Sequence, residues 1–262
     1  MSRAIDILDS GVQIYDIVIS SENRQNPNLT TSTNFSIQLQ NPINEMYMLY
    51  ALKAATIPKT YYNIDSPRNT FTITDSSGPN SVTITPGNYD ITALTTALQT
   101  ALNALAVDTY TVSYSAVSGK ITITSTFAGF VINPTLATLQ GLILDQMGFN
   151  LGIAYPSVAG TITAPNVLDI SGIKNVYIVI NEFTQYLRNT TNAFQNFKVP
   201  MNGQFGDIIY YTDETGYHQY FNIATASKSN IRTLTIRLID QYGQEIQLNG
   251  REWEFTLQLI TR

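Results

Sequence analysis

The sequence predicts a mainly β protein, a β-sandwich or barrel into which a small α+β unit is inserted. Segments with alternating apolar and polar residues lie toward both ends of the chain and recur at spacings of roughly 8–15 residues. Helical periodicity is confined to the middle of the chain. We therefore expect residues 1–65 and 166–262 to form one body and residues 66–165 to form the insertion.

The N-terminal part, residues 1–65, is expected to contain an arm and the first strands of the sandwich. Residues 21–33 are polar and lack periodicity, which indicates an extended arm or loop. In "NFSIQLQNPI" (34–43), Phe35, Ile37 and Leu39 share one face, as in a half-buried strand. The apolar run 46–57 favours a well-buried strand, although its period alone also permits a helix.

The insertion begins with a predicted hairpin, formed by residues 69–74 and 81–86 around "DSSGPN". A helix is predicted next, because Asp90 can accept the free N–H groups of a first turn and apolar residues then recur at helical spacing. These apolar residues are Ile91, Leu94, Leu98, Leu102 and Leu105. A second hairpin is predicted from residues 109–115 and 120–126, through "AVSG".

A second helix is predicted between residues 133 and 148. Asn133 is the expected N-cap, Pro134 suits the first turn, and Gly148 marks the exit. Its apolar stripe comprises Leu136, Leu139, Ile143 and Met147. We expect both helices to lie on one face of the strands of the insertion.

The C-terminal part, residues 166–262, is predicted to be all β again. Val176, Ile178 and Ile180 alternate as in a central strand, and residues 206–213 and 216–226 supply further short strands. The core-facing residues of the last two strands are Leu234, Ile236, Leu238, Trp253, Phe255, Leu257 and Leu259. A shift of one residue would expose this whole set, so we expect a fixed register and packing on the strands within 34–57.

Composition restricts the possible function classes. The net charge is −5, the pI is about 4.8, and Lys and Arg do not cluster, so we expect no direct nucleic-acid binding. The absence of cysteine excludes disulfides and thiolate metal sites. The first twenty residues do not resemble a signal peptide, and we expect no membrane span. Only 13% of residues are charged, which suits a chain packed among others but is equally compatible with an ordinary Thr- and Asn-rich β protein.

Catalytic and metal-binding patterns are sparse, so we expect no enzyme, no cofactor and no metal site. His218 is the only histidine, and a solvated strand position is its expected role. "DETGYH" (213–218) lacks the acid spacing of a calcium loop and is expected to be a turn. A carboxylate pair for glycoside hydrolysis would have to come from acids whose spacing selects no pair. These are Glu182, Asp207, Asp213, Glu214, Glu252 and Glu254.

Tyrosine is abundant, with sixteen residues and adjacent pairs at 61–62 and 210–211. Protein interfaces and sugar-binding platforms use tyrosine because it combines apolar area with a polar tip. Tyrosine is also simply a common strand residue. Both interpretations remain open.

The closing segment "TLTIRLIDQYGQEIQLNGREWEFTLQLI" (233–260) resembles the last strands of the penton, or minor capsid, proteins of virophages, polinton-like viruses and nucleocytoplasmic large DNA viruses. The matching residues are Ile236, Leu238, Asp240, Gly243, Leu248, Asn249, Gly250, Trp253, Thr256 and Leu257. The order of the preceding segments is also similar. It runs from Ser21 and Arg24 in the arm through "NFSIQLQNPI", "ALKAATIPKTYYNI" and "PGNYDITALTTALQTALN" to "QMGF".

This resemblance implies a single jelly-roll β-sandwich of about eight strands and a structural role. Five copies would form a ring with heterologous contacts at each vertex of an icosahedral double-stranded DNA virus or virophage. The roll would stand roughly upright, surrounded by a double jelly-roll major capsid protein. The implied location is the capsid vertex of the virion, assembled inside the host cell. The inserted subdomain would face outward, where it could contact host or an accessory protein.

Two other function classes remain as alternatives. A carbohydrate-binding or receptor-binding β-sandwich head of a viral fibre would bind glycans through an exposed tyrosine-lined face, often as a trimer. An enzyme such as a glycosidase would lose turnover on mutation of one or two acids. A stable pentamer is the property expected only of the capsid vertex protein.

Overall fold

The computed structural model describes residues 13–43, 47–133, 142–183, 197–213, 221–224 and 230–261. The elements up to residue 125 are β1 (Gln13–Ser20), β2 (Asn34–Ile43), β3 (Tyr47–Pro58), β4 (Thr70–Asp75), β5 (Gly78–Thr83), α1 (Ile91–Asn103), β6 (Tyr110–Ser115) and β7 (Lys120–Ser125). Those that follow are β8 (Val131–Ile132), α2 (Ile143–Gln146), β9 (Tyr155–Pro156), β10 (Thr161–Thr163), β11 (Asn175–Ile180), β12 (Phe197–Pro200), β13 (Ile208–Thr212), β14 (Phe221–Ala224), β15 (Ile231–Asp240) and β16 (Glu254–Thr261).

The described residues of Met1–Tyr61 and Ile173–Arg262 form one compact unit with two antiparallel sheets. The first sheet has the strand order β1-β16-β3-β13, and β14 also pairs with β3. β13 pairs with one half of β3 and β14 with the other half, so the two occupy one strand position in succession. The second sheet has the order β12-β11-β15-β2. Eight strand positions in two facing sheets confirm the predicted mainly β, jelly-roll fold.

The core of this unit lies between the two sheets, and both contribute to it. All seven residues predicted to face the core from the last two strands are buried. Trp253 stacks on Phe255 with ring centroids 5.3 Å apart, and Phe35 of the second sheet meets Trp253 edge-on at 6.2 Å. These aromatic contacts join the first and last parts of the chain across the sandwich.

The last two strands do not pair with each other but lie in different sheets. β15 pairs with β2 and β11, and β16 pairs with β1 and β3. The predicted packing of both strands on the early strands is therefore confirmed. The alternation pattern does not predict β1, an edge strand of the first sheet, or β12, an edge strand of the second sheet.

The second unit, Tyr62–Gly172, contains a three-stranded sheet of order β10-β7-β6 and a four-stranded sheet of order β5-β4-β8-β9. This differs from the single set of strands that we expected. The helix α1 confirms its prediction: Asp90 Oδ1 accepts a hydrogen bond from the Ala93 N–H at 2.7 Å, and Leu94, Leu98 and Leu102 are buried. Leu105 lies beyond the end of the helix but packs on the same core.

Helix α1 also covers an edge of the three-stranded sheet, because β6 is an edge strand. The side-chain amide of Asn103 bonds both to the N–H of Tyr110, at 2.7 Å, and to its carbonyl, at 3.0 Å. One turn earlier, Gln99 accepts from the Val112 N–H at 3.0 Å. Backbone groups that would otherwise lack partners are thereby hydrogen-bonded.

Two local predictions in this unit need correction. The hairpin of β4 and β5 is tighter than predicted, because Asp75 pairs directly with Gly78 and only two residues form the turn. The second helix is described only over α2, where Leu142 precedes the first turn, while Asn133 hydrogen-bonds to Thr74 instead. Residues 134–141, with the predicted Pro134, Leu136 and Leu139, lie outside the described residues.

The end of this helix follows the sequence pattern. Ile143 and Met147 are buried, and Gly148 follows with a φ of +89°. Across the described ranges, no helix combines the length and apolar character needed to cross a membrane.

Candidate interaction surface of the β-sandwich

Three of the six acids that could have formed a catalytic pair, Glu252, Asp207 and Glu182, have separate structural partners. Glu252 accepts hydrogen bonds from Ser21 Oγ at 2.5 Å and from Arg24 Nη1 at 2.7 and 2.8 Å. Partial burial would raise the pKa of the Glu252 carboxyl, but these hydrogen bonds and the Arg24 charge outweigh it and hold that pKa below its usual value. The arrangement ties the chain after β1 to the start of β16.

Asp207 and Glu182 also bond to nearby backbone. The Gln204 N–H donates to Asp207 Oδ2 at 2.6 Å, within the turn that precedes β13. Lys59, which donates to the Gly203 carbonyl at 2.8 Å, has a pKa lowered by burial and partly restored by the Asp207 charge. Glu182 accepts from the Thr235 N–H at 2.9 Å. Asp207 therefore holds its own turn, whereas Glu182 joins the segment after β11 to β15.

The remaining sequence candidates do not assemble into a site within the described residues. Glu254 is exposed on the outer face of the first sheet, and Asp213 lies at the end of β13, where its N–H donates to the Lys53 carbonyl at 3.2 Å. Glu214 and His218, with most of "DETGYH", lie outside the described residues. No group of three or more acids, histidines or cysteines with metal-binding geometry occurs in the ranges described.

The residues that carry the family resemblance shape turns rather than a pocket. Asp240 Oδ1 accepts from the N–H groups of Tyr242, at 2.8 Å, and Gln244, at 2.9 Å. Asn249, at a φ of +51°, donates from Nδ2 to the Thr60 carbonyl at 2.6 Å. These contacts set the path between β15 and β16, which explains a polar, glycine-containing sequence between two apolar strands.

Tyrosine residues are divided between core and surface. Tyr50 and Tyr61 are buried, and their hydroxyl groups donate to the carbonyls of Phe183 at 2.8 Å and of Ile173 at 2.9 Å. Within the described ranges, only Tyr15 and Tyr210 are strongly exposed, the latter at 72%. The described tyrosines therefore do not line one exposed face.

The outer face of the first sheet is unusually apolar for a surface. Strand pairing arranges its side chains in rows across β1, β16, β3 and the β13/β14 position. Five large apolar side chains on this face are exposed: Ile14, Val18, Leu49, Ile208 and Tyr210. The row at one end reads Ser20, Glu254, Thr56 and Tyr210. An exposed apolar sheet face of this kind is typical of a protein–protein contact.

Charges on this face are few. Lys53 pairs with Asp16 at 2.5 Å, and Gln258 Nε2 also donates to Asp16 at 3.1 Å. The charges of Lys53 and Asp16 therefore cancel. Among the described residues, the ion pairs use Glu252, Asp16 and Asp65, and none uses Glu254. An exposed carboxylate therefore lies beside the apolar patch, in the same row as Tyr210.

The outer face of the second sheet has the opposite character. Its rows contain Lys198 and Tyr177, then Val179, Arg237 and Asn34, then Thr235 and Ser36, whose hydroxyl groups are 3.4 Å apart. No strongly exposed large apolar residue lies on the described part of this face. Arg237 is half-buried, and its Nε is buried without a hydrogen-bond acceptor in the described structure. A buried donor of this kind requires an explanation.

The open side of the sandwich is a groove of about 920 Å³ between β1 and β2. It is lined by residues of the two edge strands, with Leu259 on its floor. Within the described chain, β1 pairs only with β16 and β2 only with β15. Exposed strand edges of this kind can accept an added strand.

None of these surfaces is predicted from the sequence. The available signal is in β1, "QIYDIVIS", where apolar residues occupy both faces of the strand. A strand with one face in the core and apolar residues on the other indicates that its outer face is covered by something else.

Comparison with solved structures agrees with the fold. The crystal structure of SeMet-labelled mavirus penton protein superposes with a TM-score of 0.52 at 15% sequence identity. The match covers 94% of this chain and 99% of that protein. The predicted resemblance to penton proteins is thus confirmed at the level of the fold. No curated protein matches the chain by sequence.

The sequence itself matches one family over most of its length. The matched residues, 5–239, include all strands of the described sandwich except β16 and the last residue of β15. The chain belongs to this family, which is described as a family of unknown function (DUF5901).

Proposed function

We propose that this protein is a structural capsid protein that forms the pentameric vertex of an icosahedral double-stranded DNA virus or virophage. The observation that carries the proposal is the end-to-end correspondence with mavirus penton protein, which extends over the jelly roll and the insertion together. A jelly roll alone would support little, because many unrelated functions use this fold.

The surface of the sandwich supports a role in assembly. One outer face is apolar, and two strand edges beside the groove have no partner strand among the described residues. A domain that acts alone rarely exposes such surfaces. Three of the carboxylates that might have served an enzyme, Glu252, Asp207 and Glu182, are engaged in turns and strand connections. In the proposed ring, the strands run along the fivefold axis and each copy contacts the next through different surfaces.

The mass of the purified protein in native solution tests this proposal. The expected species is a pentamer of the 29.0 kDa chain. If the ring is weak, amine cross-linking inside particles containing the major capsid protein should still give species up to five chains. A trimer that binds glycans would instead favour the alternative, a receptor-binding head of a viral fibre. A protein that remains monomeric in both settings would overturn the proposal.

We also propose that residues 66–165 act as one inserted subdomain that contacts host or an accessory protein. In support, the surrounding unit Tyr62–Gly172 has its own core, which includes Phe71, Leu98, Ile123 and Phe149. Replacing residues 66–165 by a short Gly/Ser linker should leave the pentamer intact and reduce attachment or infectivity. Loss of the pentamer in this variant would show that the insertion is needed for assembly.

A further inference from the structure

We propose that residues 3–8 of one copy lie in the groove of the next copy in the ring, as a strand added to the open edge of β1. This inference rests on the proposed pentameric function and names the contact that closes the ring. The donor segment and the acceptor groove are different parts of one chain. The contact between copies is therefore heterologous and can close after five copies.

The acceptor is an unprotected strand edge. β1 pairs with β16 over eight consecutive residues without a register shift, and it contains no proline. Its one charged residue, Asp16, pairs with Lys53. Proteins usually protect sheet edges with lysine, proline or irregular pairing. Such features occur in the edge strands of the second sheet, as Lys198 and Pro200 in β12 and as Pro42 with a register shift in β2. β1 is therefore the edge best suited to strand addition.

The interior of the groove is apolar and incompletely covered. Ile17 of β1 and Ile37 and Leu39 of β2 line it. These three side chains pack against the core of the sandwich but are only half-buried. Alternate residues of an added strand would point into the groove, while its backbone would pair with the edge of β1. Apolar side chains at these positions would complete the burial of the lining residues.

The segment before β1 has the matching pattern. It reads "MSRAIDILDSGV", in which Ile5 and Ile7 alternate with Asp6 as in a half-buried strand. Twelve residues precede Gln13, so residues 9–12 remain to connect the added strand to its own sandwich. Four extended residues span at most about 14 Å. The ring contact must therefore lie on the groove side of the sandwich.

Return of this segment onto its own β1 is disfavoured by register. Residues paired across a hairpin share one face of the sheet. A three-residue loop "DSG" would place Arg3 opposite Ile17, in the apolar groove. The loops "SG" and "DSGV" would turn Asp6 toward the groove. The loop "SGV" would place Asp6 directly opposite Asp16, and like charges in this position are destabilising.

A strand from another copy is free of this restriction, because no turn fixes its register. An antiparallel strand can place both of its isoleucines opposite Ile17 and Ile19, which face the core from β1. Asp6 then lies on the outer face beside the exposed Val18, and Arg3 passes beyond the end of β1. Pairing between copies thus buries the apolar residues of the segment and leaves its charges in water.

Truncation and face-specific substitution test the donor segment. Deleting residues 2–8 should raise the protein concentration at half-assembly at least about tenfold, and I5N/I7N should do the same because both side chains leave an apolar groove. A4N/L8N is the matched control on the other face of the segment and should stay within about threefold of wild type. The Tm of the dissociated chain should be unchanged by the deletion, since the segment stabilises a neighbouring copy.

Site-directed cross-linking tests the geometry without relying on affinity. The chain contains no cysteine, so D6C/V18C carries only the two introduced thiols, about 5 Å apart in the proposed register. A short bismaleimide should give a covalent ladder ending at five chains, and either single variant at most dimers. D6C/I208C is the control, because Ile208 is exposed on the opposite edge strand, three strand spacings or about 14 Å from β1. It should give no ladder.

The outcomes separate the inference from the function on which it rests. A wild-type pentamer that persists at the same concentration after deletion of residues 2–8 would overturn the strand exchange and leave the pentameric vertex intact. A link of D6C/V18C within single chains would do the same, since it would show that the segment covers its own β1. Absence of a pentamer in the wild-type protein, alone and inside particles, would overturn both proposals.

Discussion

Replacing Phe35 by alanine should selectively weaken the jelly-roll unit, because this side chain bridges its two sheets. Phe35 is 2% exposed in β2 and meets Trp253 of the opposite layer edge-on. Truncation of a buried phenylalanine typically costs about 3–5 kcal/mol through lost transfer free energy and the remaining cavity. A cost of ~4 kcal/mol is a large fraction of the usual stability of a domain, about 5–15 kcal/mol.

Trp253 makes the assay specific, since it is the only tryptophan in the chain and lies in the affected core. Its fluorescence should follow unfolding of this unit in urea. With an m-value of about 2 kcal/mol/M, the expected loss moves the midpoint down by roughly 2 M. Leu29→Ala is the control, because Leu29 is 87% exposed and its truncation should change stability by less than about 0.5 kcal/mol.

A midpoint shift for Phe35→Ala no larger than that for Leu29→Ala would contradict this prediction. Such a result would mean that β2 and the segment before β16 do not share one core. The two-sheet sandwich, and with it the assignment of its outer faces, would then be wrong.

Three further predictions concern the hydrogen bonds of Glu252, the glycine that ends α2, and the edge of β6 that α1 covers. Glu252→Gln should lower the Tm at pH 7, and the difference from wild type should shrink as pH falls below the ordinary glutamate pKa of about 4.3. The lowered folded-state pKa gives Glu252 a stabilising effect that is present above that value and lost on protonation. Gly148→Ala should cost roughly 3 kcal/mol in a urea melt followed by circular dichroism, because the new Cβ would lie 2.4 Å from the Asn166 carbonyl oxygen. Gly152→Ala, also at positive φ but with open space around it, should cost only about 1 kcal/mol, and equal costs would contradict the clash. Asn103→Ala should destabilise its unit by about 1–3 kcal/mol in the same melt, since both backbone groups of Tyr110 lose their partner; a change as small as that of the exposed Thr96→Ala would argue against a role in covering the edge of β6.

Sequence patterns succeed where structure depends on neighbouring residues. The alternation of Leu234, Ile236 and Leu238 correctly identifies the core face of β15, and the Asp90 cap with its leucine spacing identifies α1. Strand β1 escapes prediction because Ile14 and Val18 make its outer face apolar as well, which removes the alternation. The described part of the second helix begins at Ile143, and Asn133 bonds to Thr74 through a contact that no local pattern reveals.

The candidate interaction surface lies beyond such patterns. The pairing of strands decides which side chains surround Arg237, Tyr210 and Glu254 on the outer faces of the sheets. Nothing within a few residues of Arg237 indicates that its Nε is buried without an acceptor. Likewise, nothing near Ser21 indicates that its hydroxyl bonds to an acid 231 residues later.

Side-chain period and capping are local properties of the chain. The amino-acid sequence alone therefore identifies the apolar side of each regular strand, the start of α1, and a β-rich body with an insertion. The assignment of β15 and β16 to different sheets, the open groove beside β1 and β2, and the apolar outer face of the first sheet emerge only in the folded molecule. Strand pairing joins residues more than two hundred positions apart, so the choice of partner follows from the free energy of the whole core and not from any segment alone.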